Sequence, residues 1–420
     1  MAAMRKVFLS SVLAAAFPAF GAVLPKGEWH APVHAAVQAA IDRHAGDPDA
    51  YVVFDFDMTC PIGDCGHCTL AQAIRELAFA FSPDEAEKVF LSDVPDPDIP
   101  LDPALPNATL RNVVLDCADL HRELLEMTRG RPLAEVRRTE AFTAFASKVR
   151  FLRKRVPRTY GSAFGYPWNK RFYSGMTRAQ FAELVHRGID EGAKTGFMRG
   201  CWRTPERYAG RSGAVEVPML LGFTVPREIT ELLAALRASG ISVYVASGSF
   251  YDKVVAAADP RHGTGFSPDE ILGEHIQADE QGRLTGRHDA RFPFPWAAGK
   301  PDVIRQRLAV RHHGRDPIMV LGDSDGDYAM LTAFTNMEVG VIFNTNLPQS
   351  SRLGKLCADI LAGRADPRFV LQGRDEVRRT LRPHAETVVA PLVVNPDLPT
   401  AAPGEGAGAR LRAPGAIAPE

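Results

Sequence analysis

Tyr51-Val52-Val53-Phe54-Asp55-Phe56-Asp57-Met58-Thr59 places two carboxylates directly behind four consecutive β-branched or aromatic residues. An unbroken run of that kind predicts a strand covered on both faces, and in open α/β sheets ligands collect at the carboxyl ends of such strands. Two buried carboxylates are costly unless a cation or hydrogen bonds compensate them. The pair therefore predicts a metal. Alone, the same residues read equally well as a strand followed by a polar turn.

Three further segments decide between these readings. Ile241-Ser242-Val243-Tyr244-Val245-Ala246 is a second strand pattern and ends in Ser247-Gly248-Ser249. Gly299-Lys300-Pro301 opens a helix pattern that runs through Val303, Ile304 and Leu308. Ile318-Met319-Val320-Leu321 leads into Gly322-Asp323-Ser324-Asp325-Gly326-Asp327, a third strand ending in acids. Singly, these are a turn serine, a surface lysine and a solvated acidic loop. Each lies at the mouth of a strand or helix, and their joint occurrence in this order has no such bland explanation.

The set resembles the haloacid dehalogenase superfamily of phosphohydrolases, whose four motifs stand here as Asp55-x-Asp57-x-Thr59, Ser247, Lys300 and Gly322-Asp323-x-x-x-Asp327. The resemblance spans residues 50 to 62 and 221 to 345. It implies an α/β fold: a Rossmann-like core with a mainly parallel sheet and a large, mostly helical cap inserted after the first core strand. It also implies roles. Asp55 would attack phosphorus and form an aspartyl phosphate, dividing one hard displacement into two easier ones. Asp57 would protonate the leaving alcohol and then deprotonate water. Thr59, Ser247, Gly248 and Lys300 would bind the phosphate, and Asp55, Asp57, Asp323 and Asp327 would form the metal site. A hard, oxygen-only donor set suits Mg²⁺.

Asp57 also chooses among reactions within the superfamily. Dehalogenases lack an acid at that place, because a halide leaves without a proton, so Asp57 argues for an oxygen leaving group. Transport ATPases would need membrane spans. The chain has no apolar run of about 20 residues. With 49 basic and 50 acidic residues among 420 there is no global electrostatic case for nucleic acid or an anionic membrane. The expected partner is a small phosphorylated metabolite.

Arg5 and Lys6 ahead of the apolar stretch Val7 to Phe20, which ends in Ala19, Gly21 and Ala22, read as an export signal with cleavage after Gly21 or Ala22. An N-terminal helix of the folded domain is the alternative. The reading places the mature protein outside the cytoplasm, in a bacterial periplasm or secreted, without stable membrane insertion. In such a compartment Cys60, Cys65 and Cys68 suggest first a disulfide involving some of the three, then free thiols, then a metal site.

About 180 residues separate the first motif from Ser247, far more than connect neighbouring strands. The division expected is a signal peptide over 1–21, core over 22–64, cap over 65–220, core again over 221–394, and a disordered tail over 395–420. Leu70, Ile74, Leu77 and Phe81, and again Leu120, Leu124 and Leu125, follow helical spacing. Pro226 is placed to start a helix with Ile229, Leu232, Leu233 and Leu236 on its apolar face and Gly240 at its end. Val339 to Phe343 reads as a further core strand. The prolines and aspartates between Asp93 and Pro106 predict a long surface loop with solvated acids.

Two stretches of the cap remain open to more than one reading. Arg150-Phe151-Leu152-Arg153-Lys154-Arg155 reads as a solvated helix face, with anion attraction as the second choice. Tyr160, Phe164, Tyr166, Trp168, Phe172 and Tyr173, set around Gly161, Gly165 and Pro167, read as a loop. Those aromatics either pack as a local core beneath the cap or line the substrate pocket, where ring faces would suit an organic cation.

Phe172-Tyr173-Ser174-Gly175-Met176-Thr177, Trp202 ahead of Pro205, and Trp29 are similar to secreted bacterial phosphatases of the phosphoserine and phosphorylcholine type. Such relatives often carry Asn and Ser beside the motif threonine, where this chain has Met58 and Cys60. A phosphocholine-like or phosphoserine-like substrate follows from that resemblance. Two alternatives stand beside hydrolysis: phosphotransfer to an acceptor alcohol, and an exported phosphate-ligand-binding protein without turnover.

Overall fold

The structure, a computed structural model, describes residues 21–396. The expected export signal up to residue 20, and the expected tail beyond its first two residues, lie outside the described residues. Tyr51–Phe54 is a strand and occupies the interior of a six-stranded parallel sheet. The spatial order is Phe369–Gln372, Val339–Phe343, Met319–Gly322, Tyr51–Phe54, Ser242–Phe250, Ile271–Glu274.

Successive side chains of the first strand enter different cores. Val52 and Phe54 join one buried cluster, Tyr51 and Val53 the other, so neither face leaves room for a polar residue. Val53 pairs with Val320 on one side and with Tyr244 on the other. Chain order runs outward in both directions from this strand. That topological switch opens a crevice at the carboxyl end, where Asp55 begins.

The insertion is joined to the core by a short antiparallel pair in which Ile62 faces Thr224 and Gly63 faces Phe223. Gly63 and Gly222 both have positive φ, 134° and 108°. A Cβ on Gly63 would lie 1.9 Å from the Gly222 carbonyl oxygen. Only glycine lets the two connections cross this closely.

Helices Cys65–Glu76, Leu110–Gly130, Glu140–Tyr160 and Arg178–Thr195 form most of the insertion. Three of them start on a threonine, Thr109, Thr139 or Thr177, whose hydroxyl accepts a backbone N–H of the first turn. Strands Met198–Arg203 and Glu216–Leu221 pair antiparallel, and Leu392–Val394 adds beside the first of them. The chain therefore returns to the inserted unit after the core is complete.

The helix Pro226 was expected to start runs Arg227–Ala238, with Ile229, Leu232, Leu233 and Leu236 buried. In the loop between Asp93 and Pro106 the acids do more than meet solvent: Asp98 pairs with Arg111 and Asp102 with Arg155.

Several expectations are corrected. The Arg150–Arg155 run is not a solvated face: Arg150 is fully buried with its guanidinium 4.0 Å from the Trp202 ring centre, and Phe151, Leu152, Arg153 and Lys154 are buried as well. A helix packed on several sides has no solvent face to offer. Tyr160 to Tyr173 is helical, not a loop, with Ser162–Trp168 followed by a 3-10 turn at Asn169–Tyr173. Leu125 is exposed while Leu120 and Leu124 are buried, and Leu77 already ends its helix in a left-handed conformation. All six cysteines are free. The Cys60 thiol donates to the Asp55 carbonyl and the Cys68 thiol to the Gly222 carbonyl, so neither sulfur is directed at a partner cysteine.

His121, in the helix Leu110–Gly130, packs between Phe79 and Phe145, and its Nε2 has no hydrogen-bond partner among the described residues. Burial pushes its pKa down to about 4. The unfolded chain takes up this proton near pH 6.5 and the folded chain only near 4, so stability is lost as pH falls through that window. The expected difference from His121→Phe is about 3 kcal/mol between pH 7 and pH 4. Denaturant midpoints of the two proteins across this range check it; parallel curves would refute it.

Candidate active site

Asp55 leaves the central strand with its N–H bonded to the Leu321 carbonyl, 2.8 Å away, which fixes the start of the loop against the neighbouring strand. Met58 then takes φ 62° and turns the chain back. The buried guanidinium of Arg374 donates to the Met58 carbonyl and holds that turn.

Lys300 Nζ, contributed by the first turn of the helix Gly299–Arg307, lies 2.5 Å from Asp55 Oδ1 and 2.6 Å from Asp327 Oδ1. Asp327 Oδ2 accepts from the N–H groups of Asp323 and Ser324, at 3.0 and 2.9 Å, and from the Ser324 hydroxyl at 3.0 Å. Asp323 Oδ1 accepts from the Thr59 hydroxyl at 3.0 Å. Asp55, Asp323 and Asp327 are all buried and offer carboxylate oxygens within 4.8 Å of one another.

Lys300, with the buried Arg374 acting on Asp323, sets two cations against three buried carboxylates. Burial, then the Asp327 charge, push Asp55 up to about 7, with Lys300 opposing. Burial and the charges of Asp327 and Asp55 hold Asp323 well above the ordinary carboxylate range. Burial works against the Lys300 charge, but Asp327 and Asp55 outweigh it and raise its pKa. A divalent cation relieves this excess of negative charge.

The donor set fits such an ion. The second oxygens of Asp55 and Asp323 have no protein donor among the described residues, and oxygen-only ligation by one or two carboxylates is what Mg²⁺ accepts. Asp55 and Asp323 are the residues that would hold it. Of the four residues expected, Asp55, Asp323 and Asp327 come together in this cluster. Asp327 belongs to the cluster, but its two oxygens are committed to Lys300 and to the loop, so it supports the site. The Asp57 carboxylate is not part of the cluster.

Asp57 is held apart by its own partners. Its Oδ1 accepts from the Cys65 N–H and its Oδ2 bonds the Ser249 hydroxyl, both at 2.7 Å. Burial, then the Asp64 charge, raise its pKa, with Lys253 and these two hydrogen bonds pulling the other way. The two carboxylates of the motif thus occupy different electrostatic settings.

Of the expected phosphate ligands, Ser247, Gly248 and Lys300 line the cavity above Asp55. Thr59 is not among the lining residues, and its hydroxyl donates to Asp323. The cavity also gathers residues that no spacing pattern announced: Asp64, Arg153, Tyr166, Lys170, Ser249, Lys253 and Trp296. Arg153, Tyr166, Lys170 and Ser249 belong to stretches singled out in the sequence, whereas Asp64, Lys253 and Trp296 do not.

The model of the family described as haloacid dehalogenase-like hydrolase matches residues 139–332, a span that holds Ser247, Lys300, Asp323 and Asp327. Asp55 lies upstream of it, yet the fold brings that residue within 2.5 Å of Lys300. Over that span, a little under half of its length, the chain is similar to the haloacid dehalogenase-like hydrolases.

Among solved structures, a conserved functionally unknown protein from Anaerococcus prevotii DSM 20548 is similar to this hydrolase over 88% of this chain and 99% of its own, at 23% identity and a TM-score of 0.77. It shares the fold. A HAD family hydrolase from Salmonella enterica subsp. enterica serovar Typhi is 12% identical over 73% of this chain and 65% of its own, with a TM-score of 0.35. A substrate-bound phosphoserine phosphatase is 13% identical over 76% of this chain and 90% of its own, with a TM-score of 0.32. No curated protein matches the hydrolase. No helix among its described residues is long and apolar enough to cross a membrane.

Proposed function

We propose that this hydrolase is a Mg²⁺-dependent phosphomonoesterase that acts on a small phosphorylated metabolite through an aspartyl-phosphate intermediate. The observation that carries the reading is the separation of the two motif carboxylates. Asp55 sits in a buried charge cluster against Lys300, whereas Asp57 is held by Cys65 and Ser249 with its pKa raised.

In the first step an Asp55 oxygen forms a bond to phosphorus while the phosphorus–oxygen bond to the alcohol breaks. The Asp57 proton goes to the departing oxygen. In the second step Asp57, now a carboxylate, takes a proton from water as the water oxygen attacks phosphorus, and the Asp55–phosphorus bond breaks to release inorganic phosphate. A carboxyl with a raised pKa suits both halves, since it starts protonated and ends protonated. Lys300 and the Ser247 hydroxyl hold the phosphoryl oxygens. Mg²⁺, when bound, neutralises phosphoryl charge and orients the group for in-line attack.

The test is phosphate release from a panel of phosphorylated metabolites with Mg²⁺, with chelator, and after Mg²⁺ is restored. Release that disappears on chelation and returns with Mg²⁺ is the expected result. Undiminished release in excess chelator would overturn the metal dependence. Silence across the panel would overturn the phosphatase reading. In the same samples Mg²⁺ should raise the melting temperature, because the ion binds the folded carboxylate cluster and not the unfolded chain.

A further inference from the structure

Two rings from distant parts of the chain meet at the mouth of the cavity above Asp55. Trp296 comes from the core loop that leads into Lys300, and Tyr166 from the cap helix Ser162–Trp168. Their ring centres are 4.2 Å apart. Both line the cavity and both are only half-buried, so they stand where it meets solvent. Of the aromatics between Tyr160 and Tyr173, only Tyr166 reaches this cavity; Trp168, Phe172 and Tyr173 belong to the hydrophobic core.

The Trp296 ring also packs on both loops that carry the motif residues. A Cβ on Gly248, next to Ser247, would lie 2.6 Å from the ring, and one on Gly326, next to Asp327, would lie 3.0 Å from it. Neither glycine is in the left-handed region, so the space taken by the indole, and not the backbone conformation, bars a side chain at these positions. An alcohol attached to a phosphoryl group held by Ser247 and Lys300 therefore lies beside this ring.

Both rings are held from behind. Ala297, directly after the tryptophan, takes φ 48°, and the Trp296 carbonyl accepts the Gly299 N–H at 2.8 Å. A residue with a Cβ keeps such a conformation only where its surroundings dictate it; here it ties the ring to the start of the Lys300 helix. On the cap side Lys170 Nζ donates to the Tyr166 carbonyl at 2.8 Å and lies 2.7 Å from the buried carboxylate of Glu274, a core residue. The cavity behind the rings measures about 90 Å³, well below the roughly 300 Å³ at which sites for drug-sized ligands begin.

We propose that Trp296, with Tyr166 against it, sets the size of the alcohol: phosphate esters of small alcohols such as glycerol are admitted, and nucleoside monophosphates, which carry a sugar and a base, are excluded. The proposal rests on the phosphomonoesterase reading and names the residue that gives that site its substrate class. A braced wall discriminates by volume, since it cannot yield without disturbing the loops and the helix it packs on, and a single methylene in such a pocket is worth about 10- to 200-fold.

The test measures kcat/KM of the full chain with Mg²⁺ on glycerol phosphate and on adenosine monophosphate. The wild type is expected to favour glycerol phosphate by at least about 10-fold. Trp296→Ala and Tyr166→Ala open the mouth, one from the core and one from the cap, and each should shrink that ratio by about 10-fold, mainly through a lower KM for the nucleotide. A ring that only steadied the Lys300 helix would lower both rates alike and leave the ratio where it was. Equal or better turnover of the nucleotide by the wild type would overturn the proposal, and that comparison needs no variant to fold. An unchanged ratio in both variants would overturn it as well. If neither ester releases phosphate, the phosphatase reading fails, and calorimetric titration of the same two esters into the wild type then tests the mouth by affinity alone: tighter binding of glycerol phosphate upholds the size limit, and equal affinity overturns it.

Discussion

Asp55→Asn is expected to lower turnover by at least about 10⁴-fold, since removal of a nucleophile costs about as much as removal of the whole catalytic unit that depends on it. The substituted amide has the shape of the carboxylate and can still meet Lys300, but it forms no acyl phosphate. The fold is expected to survive. Asp55 is one of three mutually repelling buried carboxylates, and its burial and the Asp327 charge are what push its pKa up to about 7. Losing that charge relieves the cluster.

The melting temperature of the metal-free variant should therefore equal or exceed that of the metal-free wild type, and stabilisation by added Mg²⁺ should shrink because one of two open ligands is gone. The two readouts together distinguish a lost nucleophile from a lost fold. Retained activity would remove Asp55 from the mechanism. Lost activity with a collapsed melting transition would say that the residue is structural.

The residues that the sequence made legible share a property: their role is declared by their immediate neighbours. Tyr51–Phe54 has no polar position because each face is covered by a different core cluster, and such a run can be recognised without a partner in view. Asp55, Lys300 and Asp323 each follow or open an element recognisable on local grounds, and Ser247 directly follows the apolar run that announces its strand, although that strand continues to Phe250.

Arg153 is the opposite case. A run of four basic residues in a helix reads as solvated, because nothing in its vicinity tells that Trp202, about 50 positions later, covers Arg150 or that the catalytic cavity lies beside Arg153. Lys253 and Trp296 are isolated in the chain, and only the fold brings them to one cavity. The cysteines misled for a related reason. Cys65 and Cys68 have the spacing of a pair, but they lie within one helix, where the sulfur of Cys68 bonds Gly222 and Cys65 lies beside Asp57. In Tyr160–Tyr173 the glycines and proline suggested a loop, and tertiary packing of Trp168 and Phe172 against Phe90 overrode that local preference.

Asp57→Asn tests the proton rather than the bond to phosphorus, and its expected signature is a change of slope. The asparagine keeps one hydrogen bond of the aspartate, its carbonyl oxygen accepting the Cys65 N–H, and replaces the one Oδ2 accepts from the Ser249 hydroxyl with one its amide donates to that hydroxyl oxygen. Position and packing are thus retained while the exchangeable proton is lost. General acid catalysis contributes about 10² to 10⁴-fold, and it matters most when the departing oxygen is strongly basic. Alkyl phosphates should therefore lose about 10³-fold or more, whereas an aryl phosphate, whose phenolate leaves without help, should lose formation of the intermediate only slightly. Breakdown of the aspartyl phosphate still requires Asp57 as a base. Aryl phosphates should consequently show a burst of phenol equal to the enzyme concentration followed by slow turnover. An equal loss across aryl and alkyl esters, with no burst, would remove the acid role from Asp57 and leave it as a residue that only positions the loop beside Cys65.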